Sequence, residues 1–322
     1  MNFRSVNDLF STVRRQLYKL PQDVDLIVGV PRSGLLAANV VSLFLNRPFI
    51  DLDSFIEGRR YRNISRRLGW PHDRATPTYK SVLVIDDSIF SGAAMQEVRK
   101  RIQGLSSQPE VFYAAVYGLV DHHSEVDLTL EKCDSPRVFE WNLLHHPRLD
   151  MMCLDLDGVL CLDPTDAQDD DGPNYNEFLT SSSALNVPRY KINSIVTARL
   201  EKYRPQTEAW LKARGIRYDN LFMLDLPSAA VRRKLGIHAE FKADIYKLKS
   251  DCRLFVESNA AQARVIRERT GKSVLAYQDM IYYSESGIAK VRRAVSFRGL
   301  RYSAGQLVGP RGKAIIKSTL RI

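Results

Sequence analysis

Two apolar runs in this sequence end in carboxylates placed where they could do chemistry. In VLVIDDSIFSGAAM (82–95), Asp86 and Asp87 close a strand-like run. A turn of mostly small residues follows, holding Ser88, Phe90, Ser91, Gly92, Ala93 and Ala94, and it runs directly into a helical pattern. Small residues let backbone N–H groups approach an anion, and the positive end of the following helix dipole favours a phosphate there. Adjacent carboxylates just before such a turn suit a vicinal diol or a magnesium-bound sugar, so a phosphorylated ribose meets both demands. In CLDLDGVLC (153–161), Asp155 and Asp157 stand two residues apart before a glycine turn. Side chains at that spacing share one side of a strand, so Asp155 can attack a phosphorus while Asp157 acts as the acid beside it.

These residues need rigid elements beneath them. DLIVGV, SVLVIDD and VFYAAVYGLV alternate with helical patterns such as LLAANVVSLFLN and AAMQEVRKRIQ. Continuous apolar strands of this kind are buried on both faces, which predicts a parallel sheet flanked by helices. PFIDLDSF reads as a further strand. The rhythm restarts at MMCLDLDGVL (151–160) and continues through NSIVTAR, RPQTEAWLKARG, LFMLD and RLFVESN. The fold expected is therefore α/β with two doubly wound parallel-sheet domains, at 1–148 and 149–285, and a basic extension at 286–322. CLDPTDAQDDDGPNYNEF reads as a loop or small cap. Residues 59–80 carry seven Lys and Arg among Gly and Pro and read as a mobile basic loop.

The composition narrows the class. With 322 residues and 44% apolar content the chain is globular rather than disordered. Its 47 Lys and Arg against 37 Asp and Glu give a net charge of +10, and nine of the basic residues fall after position 289, where no acid occurs. An anionic partner is implied without choosing its kind. Four scattered Cys, without a CxxC pair, indicate neither a disulfide framework nor a zinc site. The doublets His122–His123 and His145–His146 read as structural. With no long apolar run and no signal-peptide pattern at the start, the expectation is a soluble cytoplasmic protein.

The stretch 82–95 resembles the phosphoribosyl diphosphate (PRPP) motif of type I phosphoribosyltransferases, an apolar run followed by two acids and a small hydroxyl-rich turn. VGVPRSGLLAA (28–38) resembles the same family's pyrophosphate loop, in the expected order. The resemblance covers about residues 20–125. It implies that Asp86 and Asp87 hold the ribose hydroxyls, that Ser88 to Ala94 hold the 5-phosphate, and that Arg32, Ser33 and Gly34 hold the pyrophosphate. Residues 59–80 would be the family's lid. The turn departs from the family in having Phe90, Ala93 and Ala94 where Thr is common.

The second half resembles the haloacid dehalogenase (HAD) superfamily, in its Asp-x-Asp-Gly-Val phosphatase form, over about 150–278. The resemblance implies Asp155 as nucleophile, Asp157 as acid, Thr197 in SIVTAR on the phosphoryl oxygens, and Lys242 in HAEFKADIYK as the neutralising lysine, with Lys247 the alternative. LFVESN would supply Glu257 to magnesium, together with Asp155 and the Asp157 backbone carbonyl, with Ser258 or Asn259 assisting through water.

The domain pair, including EWNLLHH, resembles the bacterial fusion of a PRPP-dependent ribofuranosyltransferase with a phosphoribosyl phosphatase used in surface-polysaccharide assembly. That implies transfer of 5-phosphoribosyl from PRPP to a glycan hydroxyl, then removal of the phosphate to leave β-ribofuranose. Magnesium would serve both sites. The glycan could be lipid-linked, with the basic tail touching the membrane surface, and no nucleic-acid partner is expected. Two other readings stay open: a nucleobase phosphoribosyltransferase fused to a nucleotidase, and a PRPP-sensing regulatory module on a phosphatase.

Overall fold

A computed structural model describes residues 1–59, 79–105 and 109–287. Most of the expected lid and of the basic extension lies outside the described residues. The chain divides into two compact units, Asn2–Leu143 and Leu144 onward together with Met1. Both are α/β, each built on a sheet that is parallel but for one edge strand of the second.

The first unit runs β1 (Asn2–Arg4), α1 (Val6–Gln16), β2 (Leu26–Gly29), α2 (Gly34–Leu45), β3 (Phe49–Asp51), α3 (Leu52–Ile56), β4 (Ser81–Ser88), α4 (Ala93–Gln103), β5 (Glu110–Gly118), β6 (Leu128–Lys132) and β7 (Arg137–Phe139). β1 pairs with β7, and the main sheet has the order β3-β2-β4-β5-β6, all parallel. Successive residues of a strand point to opposite faces. Accordingly Leu83 and Ile85 join Ile27 and Val116 beneath α1 and α2, while Val82 and Val84 join Val28 and Ala115 beneath α3 and α4. Burial of both faces explains the unbroken apolar run of β4. PFIDLDSF departs from the strand expected of it after Asp51, because the Asp51 carboxylate accepts from the Ser54 amide and caps α3.

The second unit runs β8 (Met152–Leu154), α5 (Pro173–Ser181), β9 (Ile192–Leu200), α6 (Arg204–Ala213), β10 (Tyr218–Leu224), α7 (Ala229–Leu235), α8 (His238–Leu248), β11 (Leu254–Glu257), α9 (Ala260–Thr270), β12 (Val274–Ala276) and β13 (Ile281–Tyr283). Its sheet order is β10-β9-β8-β11-β12-β13, with β13 antiparallel. Cys153, Val196 and Phe255 of the sheet pack against Ala239, Ala243 and Tyr246 of α8 and Ile266 of α9. The acidic stretch after β8 is irregular up to Pro173, which starts α5.

Strand order locates the sites. In an open parallel sheet, the crevice for a ligand opens at the carboxyl ends of the two strands where the winding reverses. In the first unit these are β2 and β4, and in the second β8 and β11. Asp86–Asp87 end β4, Arg32–Gly34 follow β2, Asp155 follows β8 and Glu257 ends β11.

Candidate functional site

In the first unit, Gly34 begins α2 directly against the end of β4. A Cβ at Gly34 would stand 2.8 Å from Asp86 Oδ1 and 2.9 Å from the Ile85 carbonyl, so only a glycine lets the turn after β2 approach the carboxylates this closely. Arg32 is exposed and Ser33 half-buried, and α2 begins without a side-chain cap. α4 likewise starts uncapped, from Gly92 in the left-handed region. The amides at both helix starts therefore have no side chain of their own cap to satisfy them. Ser91 Oγ lies 3.4 Å from the Ala93 amide, and Phe90, Ser91, Ala93 and Ala94 are exposed.

The two carboxylates differ in their surroundings. Asp87 is buried and accepts from Trp141 Nε1 at 2.8 Å, while Asp86 Oδ1 accepts from the Asp87 amide at 2.8 Å. Burial, reinforced by the charge of Asp87, holds the Asp86 carboxyl well above the usual carboxylate range. Such a pair gains from a cation or from hydroxyl donors. Trp141 and Arg137 were not singled out in the sequence. Arg137 is buried and donates to the carbonyls of Ile89 at 2.7 Å and Cys133 at 3.1 Å, supporting the start of the turn after β4.

In the second unit, four distant segments meet at the switch point. Lys242 Nζ donates to Asp155 Oδ2 and Glu257 Oε2, each at 2.7 Å, and to Gln262 Oε1 at 3.1 Å. Asp155, Lys242 and Glu257 are all buried. Lys247 instead lies exposed on α8 and pairs with Asp244 at 3.1 Å. Burial, with Glu257 next, pushes the Asp155 carboxyl well up, and the two carboxylates hold the Lys242 ammonium above its ordinary value against burial. The Leu156 amide donates to Asp155 Oδ1 at 2.8 Å, and Ser258 Oγ lies 3.4 Å from Glu257 Oε1. Asn259 caps α9 through the Gln262 amide. Gly158 has φ +73°, and a Cβ there would stand 2.5 Å from that of Ser258, so the turn after Asp157 packs directly onto the acidic loop.

Asp157 is bound to a partner that sequence reading missed. Arg199, fully buried two residues after Thr197, donates from Nη2 to Asp157 Oδ1 at 2.5 Å and from Nε to Oδ2 at 3.0 Å. It also reaches Thr207 Oγ1 at 3.4 Å. Thr197 is buried, and its Oγ1 accepts the Arg199 amide at 3.2 Å. Asp155, Asp157, Thr197 and Lys242 line one cavity of about 260 Å³. The only signal for Arg199 in the sequence was its place at the end of the strand that bears Thr197.

The second site suits a hard cation. Two buried carboxylates share one ammonium, an arrangement that a divalent cation bound beside them suits. The described residues hold no group of three metal-type side chains. Magnesium needs fewer, since it keeps several waters and takes one or two carboxylates.

No protein-family model and no curated protein matches the chain. Among solved structures it is similar to the Helicobacter pylori xanthine-guanine-hypoxanthine phosphoribosyltransferase, at 15% identity over 44% of this chain and 92% of that one, with a TM-score of 0.31. It is also similar to a purine phosphoribosyltransferase from Pyrococcus horikoshii, at 18% identity over 44% and 92%, TM-score 0.30. A third is the Saccharomyces cerevisiae adenine phosphoribosyltransferase, at 15% identity over 40% and 77%, TM-score 0.25. No helix among the described residues is long and apolar enough to cross a membrane.

Proposed function

We propose that this chain is a bifunctional enzyme that transfers 5-phosphoribosyl from PRPP to a hydroxyl of a bacterial surface glycan and then removes the 5-phosphate. The observation that carries this reading is the pair of switch points, each furnished with carboxylates suited to its own half-reaction: Asp86 and Asp87 against the Gly34 turn, and Asp155 and Glu257 around Lys242.

At the first site, Asp86 and Asp87 accept from the ribose hydroxyls of magnesium-bound PRPP, and the amides after β4 and β2 face its 5-phosphate and pyrophosphate. The acceptor oxygen attacks C1, the C1–O bond to pyrophosphate breaks with its electron pair leaving on pyrophosphate, and the acceptor proton is released. Inversion of α-configured PRPP gives a β-ribofuranoside.

At the second site, an Asp155 oxygen attacks phosphorus, the P–O bond to the ribose breaks, and Asp157 gives its proton to the leaving alkoxide. Water then hydrolyses the aspartyl phosphate, with Asp157 taking back a proton as phosphate departs. Arg199 aims Asp157 through hydrogen bonds to both carboxylate oxygens, and the acid step requires that pair to loosen. Lys242 and Thr197 hold the phosphoryl oxygens. Asp155, the Asp157 backbone carbonyl and Glu257 would hold magnesium, which when bound neutralises charge on the nucleophile and the phosphoryl group.

The test offers isotopically labelled PRPP and magnesium to Asp155→Asn protein, separately with nucleobases and with lipid-linked glycan extracts, and reads products by mass spectrometry. A phosphoribosyl mass on a glycan, trimmed to ribosyl by the unmodified protein, is expected. A labelled nucleotide in its place overturns the glycan reading and makes the second unit a nucleotidase.

A further inference from the structure

The cavity that holds Asp155 has a second wall that the phosphoryl chemistry does not use. Arg232, in the last turn of α7, is 8% exposed and lines this cavity. Its Nη2 donates to both oxygens of Asp169, at 2.8 and 3.1 Å, and its Nη1 gives one of two N–H groups to the Ala198 carbonyl at 3.2 Å. Its buried Nε makes no hydrogen bond. Arg233 also pairs with Asp169, at 2.9 Å, so two guanidiniums share one carboxylate. A buried guanidinium with N–H groups to spare is costly unless something completes it.

Shape and lining narrow what that partner is. The cavity, about 260 Å³, is smaller than the range of roughly 300–1,000 Å³ typical of drug-sized ligands. Tyr175 in its lining is 3% exposed and packed against Phe178 and Tyr203, so its ring offers no face on which a ligand could stack. The lining is otherwise polar, with His238 near Arg232 and Asp169, and Gln278 donating to Asp163 at 3.4 Å. Burial, with Arg232 and Lys242 nearby, holds the His238 imidazole below its ordinary value and so favours the neutral ring, which both donates and accepts.

We infer that Arg232 is a specificity-determining residue: it receives a hydroxyl or ring oxygen of the leaving group and so selects phosphorylated sugars over phosphomonoesters that carry no such oxygen. This rests on the phosphatase reading of Asp155 and names the substrate class of that same site. Asp169 fixes the plane of the guanidinium, and the sugar oxygen takes an N–H that Asp169, Ala198 and the neighbouring Tyr175 hydroxyl leave over.

The test compares ribose 5-phosphate, a nucleoside 5′-monophosphate and p-nitrophenyl phosphate, with magnesium, on the full chain. In the unmodified protein, ribose 5-phosphate and the nucleotide are both expected to show a KM about tenfold below that of p-nitrophenyl phosphate. In Arg232→Gln, the ratio of kcat/KM for ribose 5-phosphate to that for p-nitrophenyl phosphate is expected to fall about tenfold, chiefly through KM. If Asp169, left with Arg233 alone, prevents that variant from folding, Arg232→Gln with Asp169→Asn gives the same readout. A fall of equal size on all three substrates overturns the inference and leaves the phosphatase reading standing. A protein inert toward every phosphomonoester overturns the phosphatase reading and this inference with it.

Discussion

The two switch points solve the problem of buried carboxylates differently. At Asp155 and Glu257 the chain supplies its own cation, with Lys242 at 2.7 Å from each. At Asp86 and Asp87 no ion pair forms among the described residues, and the protein offers only neutral donors, the Trp141 indole and the Asp87 amide. The second site is thus largely assembled before a ligand arrives. The first, with no cation of its own among the described residues, leaves that place to a cation or to hydroxyls from a ligand. A nucleophile has to be held and oriented in advance.

Substitutions can break this contrast. The largest effect is expected from Asp155→Asn, which should lower phosphate release by on the order of a thousandfold or more while pyrophosphate release stays within about twofold. Separate assays of the two products check it, and loss of both activities would contradict independent sites. Next, Lys242→Met leaves two buried carboxylates facing each other and should destabilise the protein by about 3–5 kcal/mol in urea denaturation with chelator present, whereas exposed Lys247→Met should stay within about 0.5 kcal/mol. Magnesium should restore part of that loss, because a cation bound only by the folded state stabilises it. The double change Asp86→Asn, Asp87→Asn should lower pyrophosphate release on the order of a hundredfold with phosphate release from ribose 5-phosphate unchanged. An unaltered transfer rate would remove the PRPP assignment. The smallest effect is expected from Trp141→Phe, which strips Asp87 of its donor and should shift the urea midpoint by the equivalent of about 1–3 kcal/mol, with no change in phosphatase kinetics.

What the amino-acid sequence determined by itself was everything local in the chain. Unbroken burial of Val82 to Ile85, apolar on both faces, is enough to require a covered parallel sheet, and a contiguous run such as Asp86 to Ala94 carries its strand end, turn and helix start together. Asp155 and Asp157 are legible for the same reason. The strand-like reading of PFIDLDSF failed beyond Asp51 because a side-chain cap, which involves a single hydrogen bond, decided between strand and helix.

Tertiary structure decided everything that depends on which distant groups meet. Lys242 and Lys247 lie five residues apart on α8, about 140° around the helix, so spacing alone leaves both as candidates. Only the packing of α8 onto the sheet turns Lys242 toward Asp155 and leaves Lys247 in solvent. Trp141 reaches Asp87 across 54 residues, Arg199 reaches Asp157 across 42, and Arg232 reaches Asp169 across 63. No local pattern specifies such pairs, because a buried charge or donor is satisfied by whichever partner the fold brings within about 3 Å, and that partner is set by strand order rather than by neighbours in the chain.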